Sequence, residues 1–369
     1  MGKLGRHKQV IENFFSLSIL NALNVLLPLV TLPYMLHVVG NANYGAYSYV
    51  YAVGQYVILC STYGFNFSAT KQISQCRDDK EKVSKIYNAV TASKTLIALS
   101  LSVLLLLCAK LVFKDGVGTL MFVYGLGMVI GDVLTPIWLF QGMEKMKYMT
   151  IVNASSKILF TILIFIVVRA SEDYQLLILL NSCGYLLAGV LSLILVCRQF
   201  HLRLHWATWS DIRMQLKEGS AVFGSTFGMN LYRNANVIIL EQFVSDDIVG
   251  LYSAAEKVVK GFQSIISPAA QALFPHLSLR FKGQPVNEQM RMLRKVSIPF
   301  TSVVLVVTLG VYIFAPLISD ILCGREFVAC VPLIRIMTLV ILFGEINYLV
   351  GIVGLINMDG QRYFFRSVM

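Results

Sequence analysis

Long apolar runs recur along the whole chain and leave it few ways to fold. A helix needs about 20 predominantly apolar residues to cross a hydrocarbon core. The chain supplies ten such stretches: roughly Glu12–Leu36, Tyr44–Phe67, Tyr87–Cys108, Thr119–Gln141, Met149–Val168, Tyr174–Val196, Leu216–Leu240, Val249–Leu273, Val296–Ile318 and Val328–Ile356. An eleventh begins at Tyr363–Met369. Only 14% of the 369 residues are charged, against about 25% in a soluble domain. That deficit excludes a water-soluble enzyme, a disordered chain and a nucleic-acid binder. The expected class is an all-α polytopic membrane protein.

A net charge of +11 then reads first as a topology signal. The segments on the N-terminal side of the spans hold 21 Lys and Arg, from Lys3 through Lys85, Lys145, Arg198, Lys217 and Lys295 to Arg366. The opposite loops hold 4: Lys110, Lys114, Arg169 and Arg325. Such an excess places the N-terminus and the basic loops in the cytoplasm. Seven scattered Cys show no CxxC pair and no metal-ligand spacing, although Cys323 and Cys330 flank one outer loop where they can pair. With no P-loop, HExxH or GxSxG pattern and only short loops, the expectation is a non-enzyme without cofactor or metal.

The longest connection divides the chain into a six-helix lobe (1–197), a cytoplasmic interfacial linker (198–215) and a second lobe (216–369) that ends after about span ten. The linker is basic and carries Trp206 and Trp209, which suits a helix lying in the headgroup region or a solvated connector. YGAYS (Tyr44–Ser48) and VGLYS (Val249–Ser253) follow equivalent outer loops at an offset of 205, pairing Gly45 with Gly250, Tyr47 with Tyr252 and Ser48 with Ser253. That is a parallel repeat, one of the ways transporters are built. Pro28, Pro33, Pro136, Pro268, Pro275 and Pro299 mark sites of helix bending, and Gly127 with Gly131 allows close helix approach.

Charges inside spans are expensive and so are functional candidates. Lys94 and Lys157 lie about two turns from a cytoplasmic end, as snorkelling anchors or cavity residues. Arg233 and Lys257 sit roughly 12 Å below the outer surface on neighbouring spans. Lys260 follows one turn on from Lys257, and Arg335 is the next cation toward the same cavity. Glu256, Asp132 and Glu345 are either counter-ions or carboxyls carrying a coupling proton. The cations therefore read either as ion pairs or as an anion-attracting cavity. Asn21, Asn24, Thr31 and Tyr34 give span one a polar face turned to water or protein.

NALNVLLPLVTLPYMLHVVGNANYGAYSYVYAVGQY (Asn21–Tyr56), YGFNFSATKQIS (Tyr63–Ser74), WLFQGMEKMKYMTIVNASSKILF (Trp138–Phe160) and VGLYSAAEKVVKGFQSIISPAAQALFP (Val249–Pro275) resemble segments of the polysaccharide-transporter flippases. The resemblance implies the two-lobe fold of the multidrug/oligosaccharidyl-lipid/polysaccharide exporter superfamily, six helices in each lobe around a central cavity. It also implies flipping of undecaprenyl-diphosphate-linked oligosaccharide across a bacterial inner membrane for O-antigen or capsule synthesis. Partners so implied are the lipid-linked oligosaccharide, membrane lipid, and the polymerase and glycosyltransferases of polysaccharide assembly. Cavity cations hold the diphosphate in such flippases, and Lys257 best fits that role, beside Arg233 and Lys260. Family members usually have twelve or more spans, so this chain departs by the last one or two. Two alternatives remain: a multidrug or metabolite exporter of the same fold, which buried Lys and Arg disfavour, and a membrane glycan polymerase or ligase, which short outer loops disfavour.

Overall fold

A computed structural model of the chain describes residues 3–112, 117–281, 284–324, 328–356 and 358, without the side chains of some helical residues. The expected start of an eleventh span at Tyr363–Met369 lies outside the described residues. Those described form helices α1 (Lys3–Thr62), α2 (Phe65–Gln75), α3 (Lys80–Val112), α4 (Val117–Leu134), α5 (Ile137–Gly142), α6 (Met146–Val167), α7 (Tyr174–Arg198), α8 (Trp209–Asn234), α9 (Asn236–Glu241), α10 (Asp246–Phe281), α11 (Val286–Ile313), α12 (Ala315–Leu322) and α13 (Cys330–Asn347). A π-helical stretch, Tyr348–Ile356, extends α13. The chain is an all-α polytopic membrane protein.

Seven stretches among the described residues are long and apolar enough to cross a membrane. The first, Ser18–Gln75, runs 58 residues, which is room for two crossings. It is interrupted at Gly40 (φ 76°, ψ 172°), inside the turn expected between spans one and two. A side chain there would clash with its own backbone, so only glycine takes these angles without strain. The helices matching spans seven and eight are not among the seven stretches. Many side chains of α8 are outside the description, and α10 gathers Glu256, Lys257 and Lys260 within five residues.

Local breaks follow the same chemistry. Proline lacks an amide proton and clashes with the preceding turn, and at Thr135–Pro136 span four divides into α4 and α5. Pro28, Pro33 and Pro299 stay inside continuous helices. Gly127 and Gly131 bring α4 against α7: a methyl at Gly127 would lie 2.7 Å from the Ser182 Cβ, and one at Gly131 would overlap the Tyr185 backbone.

Of the two forms expected for the linker, an interfacial helix or a connector, the residues between α7 and α8 do not take the helical one. Residues 201–208 have no regular secondary structure, because side chains of α3 take the backbone bonds a helix would otherwise make internally. Asn88 donates to the Arg203 carbonyl at 2.8 Å, Arg203 N–H donates to Ser84 Oγ at 3.2 Å, and His205 N–H donates to Asn88 Oδ1 at 3.2 Å. Phe200 and Leu202 bury themselves in an aromatic core with Phe65, Tyr87, Trp138 and Phe140.

Two compact units result: residues 1–27 with 38–250, and residues 28–37 with 251–369. α8, which follows the 198–215 segment, is tied to earlier helices. Lys85 pairs with Asp211 at 3.1 Å, Gln215 donates to Gln72 at 2.9 Å, and Gly219 lies against Tyr63. The second unit has its own apolar core of Leu277, Phe281, Leu293, Leu349 and Val353.

Within the first unit the two repeat motifs touch. A methyl at Gly45 would overlap the Asp246 carbonyl oxygen and come within 3.0 Å of the Gly250 amide nitrogen. A methyl at Gly250 would overlap the Asn41 carbonyl oxygen and come within 3.2 Å of the Gly45 nitrogen. Asn41 and Asp246 are themselves separated by 205 residues, so the contact is reciprocal: each copy's glycine seats on the other copy's backbone. Gly45→Ala or Gly250→Ala should each destabilise the protein by about 1–3 kcal/mol through overpacking, read as a lowered Tm in detergent. Gly224→Ala, where a methyl meets nothing within 4 Å, serves as the control.

Candidate functional site

In the first unit, α3 and α4 bring Lys94 and Asp132 together in a nearly dry position. Lys94 Nζ lies 2.6 Å from the Asp132 carboxylate and also donates to the Asp132 main-chain oxygen at 2.7 Å, with the lysine side chain only 5% exposed. Gln55 donates to the Tyr185 hydroxyl at 3.0 Å, and Tyr185 sits near enough to Asp132 to sense its charge. Asp132 is thus the counter-ion of a buried lysine. Lys157 on α6 donates to Asn24 on α1, while Asn21 faces outward.

In the second unit, polar side chains line one face of α10. Glu256, Lys260, Gln263 and Ser267 recur at i, i+4, i+7 and i+11, the spacing of a single helical stripe. Lys260 pairs with Glu256 at 3.0 Å and keeps half its side chain exposed. Ser267 donates to the buried Glu345 of α13 at 2.6 Å. Gln263 lies against Gly344, where an added methyl would come within 2.9 Å of its Nε2. Lys257 is half-buried beside the stripe. Residues 28–37 of α1 belong to this unit. They place half-buried Tyr34 on a segment whose Leu29 packs against Gly261 of α10.

Two expected members of the cation group are found elsewhere or lie outside view. Arg335 donates from Nε to the Tyr312 carbonyl at 3.3 Å, with its guanidinium 5.3 Å from the Tyr312 ring centroid. That cation–π and backbone contact keeps it on α11 rather than on the stripe. The Arg233 side chain lies outside the described residues, though its backbone is in α8.

One titratable group escaped the sequence reading. Glu241 ends α9 at the turn before α10, and its carboxyl is pushed up to about 7 by burial and by the nearby Asp246 carboxylate, to which it hydrogen-bonds. Tyr49 of α1 faces the same carboxyl. No spacing rule reveals this pair, since it depends on α10 folding back onto the end of α9. Cys323 and Cys330 are both buried and both free thiols.

Residues 10–280 match the family described as polysaccharide biosynthesis protein. The chain is 31% identical over 267 residues to a relative from Escherichia coli (strain K12) named as an O-antigen transporter, covering 72% of this chain and 64% of that relative's length. It is 26% identical over 317 residues to a Shigella dysenteriae protein of the same name, covering 86% of this chain and 78% of that one. Among solved structures, an inward-facing multidrug resistance MATE family transporter of the MOP superfamily superposes with a TM-score of 0.64 at 13% identity, over 91% of this chain and 85% of that one. A MATE protein in complex with MaL6 superposes at 0.57, also at 13% identity, over 97% of this chain and 84% of that one. At such identity the likeness is one of fold.

Two measurements probe this arrangement. Asp132→Asn should cost about 3–5 kcal/mol, because it leaves a buried lysine without its counter-charge, whereas Lys94→Met with Asp132→Leu should recover most of the loss; thermal unfolding in detergent reads both. For Glu241, the ordinary value is 4.5 and the folded value about 7, so the fold takes up a proton between these pH values. Stability present at acid pH is therefore lost as pH rises through about 7. The Tm should fall from pH 5 to pH 8, and Glu241→Gln should flatten that slope.

Proposed function

Since the chain belongs to the polysaccharide biosynthesis protein family, we propose that it is a flippase. Its cargo is an oligosaccharide repeat unit, of O-antigen or a related surface polysaccharide, linked through diphosphate to undecaprenyl. It moves this cargo by alternating access from the cytoplasmic to the outer leaflet of a bacterial inner membrane, with its own N-terminus in the cytoplasm. The reaction makes and breaks no covalent bond, so the protein acts as a transporter rather than an enzyme. Glycosyltransferases that build the repeat unit precede it, and a polymerase follows.

The observation that carries this reading is a pair of lysines one turn apart beside the polar stripe of a helix inside the second unit. Lys257 and Lys260 are one turn apart on α10, Lys257 half-buried and Lys260 half-exposed beside Glu256. A cation held in a low-dielectric slab needs compensation, and a diphosphate passing the helix supplies two negative groups for charge-assisted hydrogen bonds. The polar stripe below them, Gln263 and Ser267 to Glu345, offers hydroxyl and amide partners suited to sugar. Arg233, on α8 of the first unit, is a separate candidate cation by its depth in the sequence alone. The relatives named as O-antigen transporters support this class of cargo.

Lys257→Ala or Arg233→Ala in a strain depending on this protein should abolish surface glycan while the amount of protein in the membrane stays normal. Wild-type glycan from both variants overturns the cation assignment. Glu345→Gln should change how transport responds to an imposed pH gradient if that carboxyl carries a proton. Asp132→Asn at equal protein level should not, because its charge is committed to Lys94.

A further inference from the structure

The linker and the first turn of α8 present apolar side chains that nothing among the described residues covers. After Phe200 and Leu202 turn inward, Leu204 is 56% exposed, Trp209 65% and Trp206 99%. Exposing a whole indole to water is unfavourable on the scale of its buried area, so the position demands an environment. The sequence around it is basic. Arg198, Arg203, Arg213 and Lys217 are all exposed, and the acid among them, Asp211, is engaged by Lys85 and by the Thr208 hydroxyl.

Depth fixes what that environment is. α3 has 33 residues and so is about 50 Å long, against a hydrocarbon core of about 30 Å. Its first turns, with Lys80, Glu81, Lys82 and Lys85, are charged, and after Lys85 the sole charge before Lys110 is Lys94, which is paired with Asp132. The linker is bonded to Ser84 and Asn88, on either side of Lys85. Its backbone therefore runs at the level where hydrocarbon gives way to headgroups. Indole rings prefer this level, apolar body inward and N–H toward the headgroups. Clustered Lys and Arg at the same level are attracted to anionic lipid.

We propose that residues 198–217 form a binding site for anionic phospholipid of the cytoplasmic leaflet, with Trp206 and Trp209 inserted among the headgroups and Arg198, Arg203, Arg213 and Lys217 on their phosphates. The site fixes the linker to the membrane surface. It rests on the chain's membrane reading and is independent of the cargo proposed above.

The chain has 3 Trp, and Trp138 is 2% exposed inside the aromatic core, so lipid-borne quenching reports on the linker. The full chain is reconstituted into nanodiscs containing brominated phosphatidylglycerol or brominated phosphatidylcholine. Brominated lipid should quench a large part of the wild-type emission, with phosphatidylglycerol about twofold more effective at low salt. Trp206→Phe with Trp209→Phe should remove most of the quenching. Replacing the four cations by Gln should abolish the preference for phosphatidylglycerol while leaving the Tm unchanged. Equal quenching by the two lipids overturns the anionic site. Strong quenching by aqueous iodide with none by brominated lipid overturns insertion and makes the linker a water-facing surface for a soluble protein. Glycan export does not enter these readouts, so failure here and failure of the flippase reading are told apart.

Discussion

A charge carried into hydrocarbon finds no water to answer it, and the arrangement of this protein follows from how each one is met. Lys94 is met by a carboxylate and a carbonyl of α4, which joins α3 to α4 in the midst of an apolar bundle. Lys157 is met by the amide oxygen of Asn24, which fixes α6 to α1. Glu345 is met by the Ser267 hydroxyl, which joins α13 to α10. Each is a cross-link between helices whose apolar surfaces alone would slide, since lipid tails are as apolar as leucine. α10 differs: its Lys260 pairs with Glu256 of the same helix and keeps half its side chain exposed. Charge there does less for packing and more for whatever passes by.

The same physics decides how much could be read in advance. Spans were legible because a crossing helix must be apolar over a fixed length, and the break at Pro136 because proline cannot donate the next bond. Gly127 and Gly131 announced a close neighbour, though not that α7 would be the one. Partners were harder. Asp132 and Lys94 are 38 residues apart, and only the crossing of α3 with α4 makes them a pair. Arg335 resembled a cavity cation by depth alone; the Tyr312 ring and carbonyl that hold it come from a different helix. The stripe on α10 was half visible in Glu256 and Lys260, while Gln263 and Ser267 attracted no notice because neutral polar residues in spans are common.

The linker shows a different limit. Its composition fits an interfacial helix, yet Ser84 and Asn88 take up the backbone groups that such a helix would pair internally. Local propensity lost to a pair of side chains more than 100 residues away in sequence. The residues of WLFQG, which helped suggest the family, turn out to be buried aromatic and aliphatic packing in α5: Trp138, Leu139 and Phe140 are almost fully enclosed. Motifs of that kind identify a fold by what its interior needs, and say little of what the protein carries.

The reciprocal seating of Gly45 on Asp246 and of Gly250 on Asn41 has the form of an isologous interface, in which residue i of one copy meets residue j of the other and the reverse also holds. A half-length chain bearing a single copy of this motif would already own both surfaces of the joint.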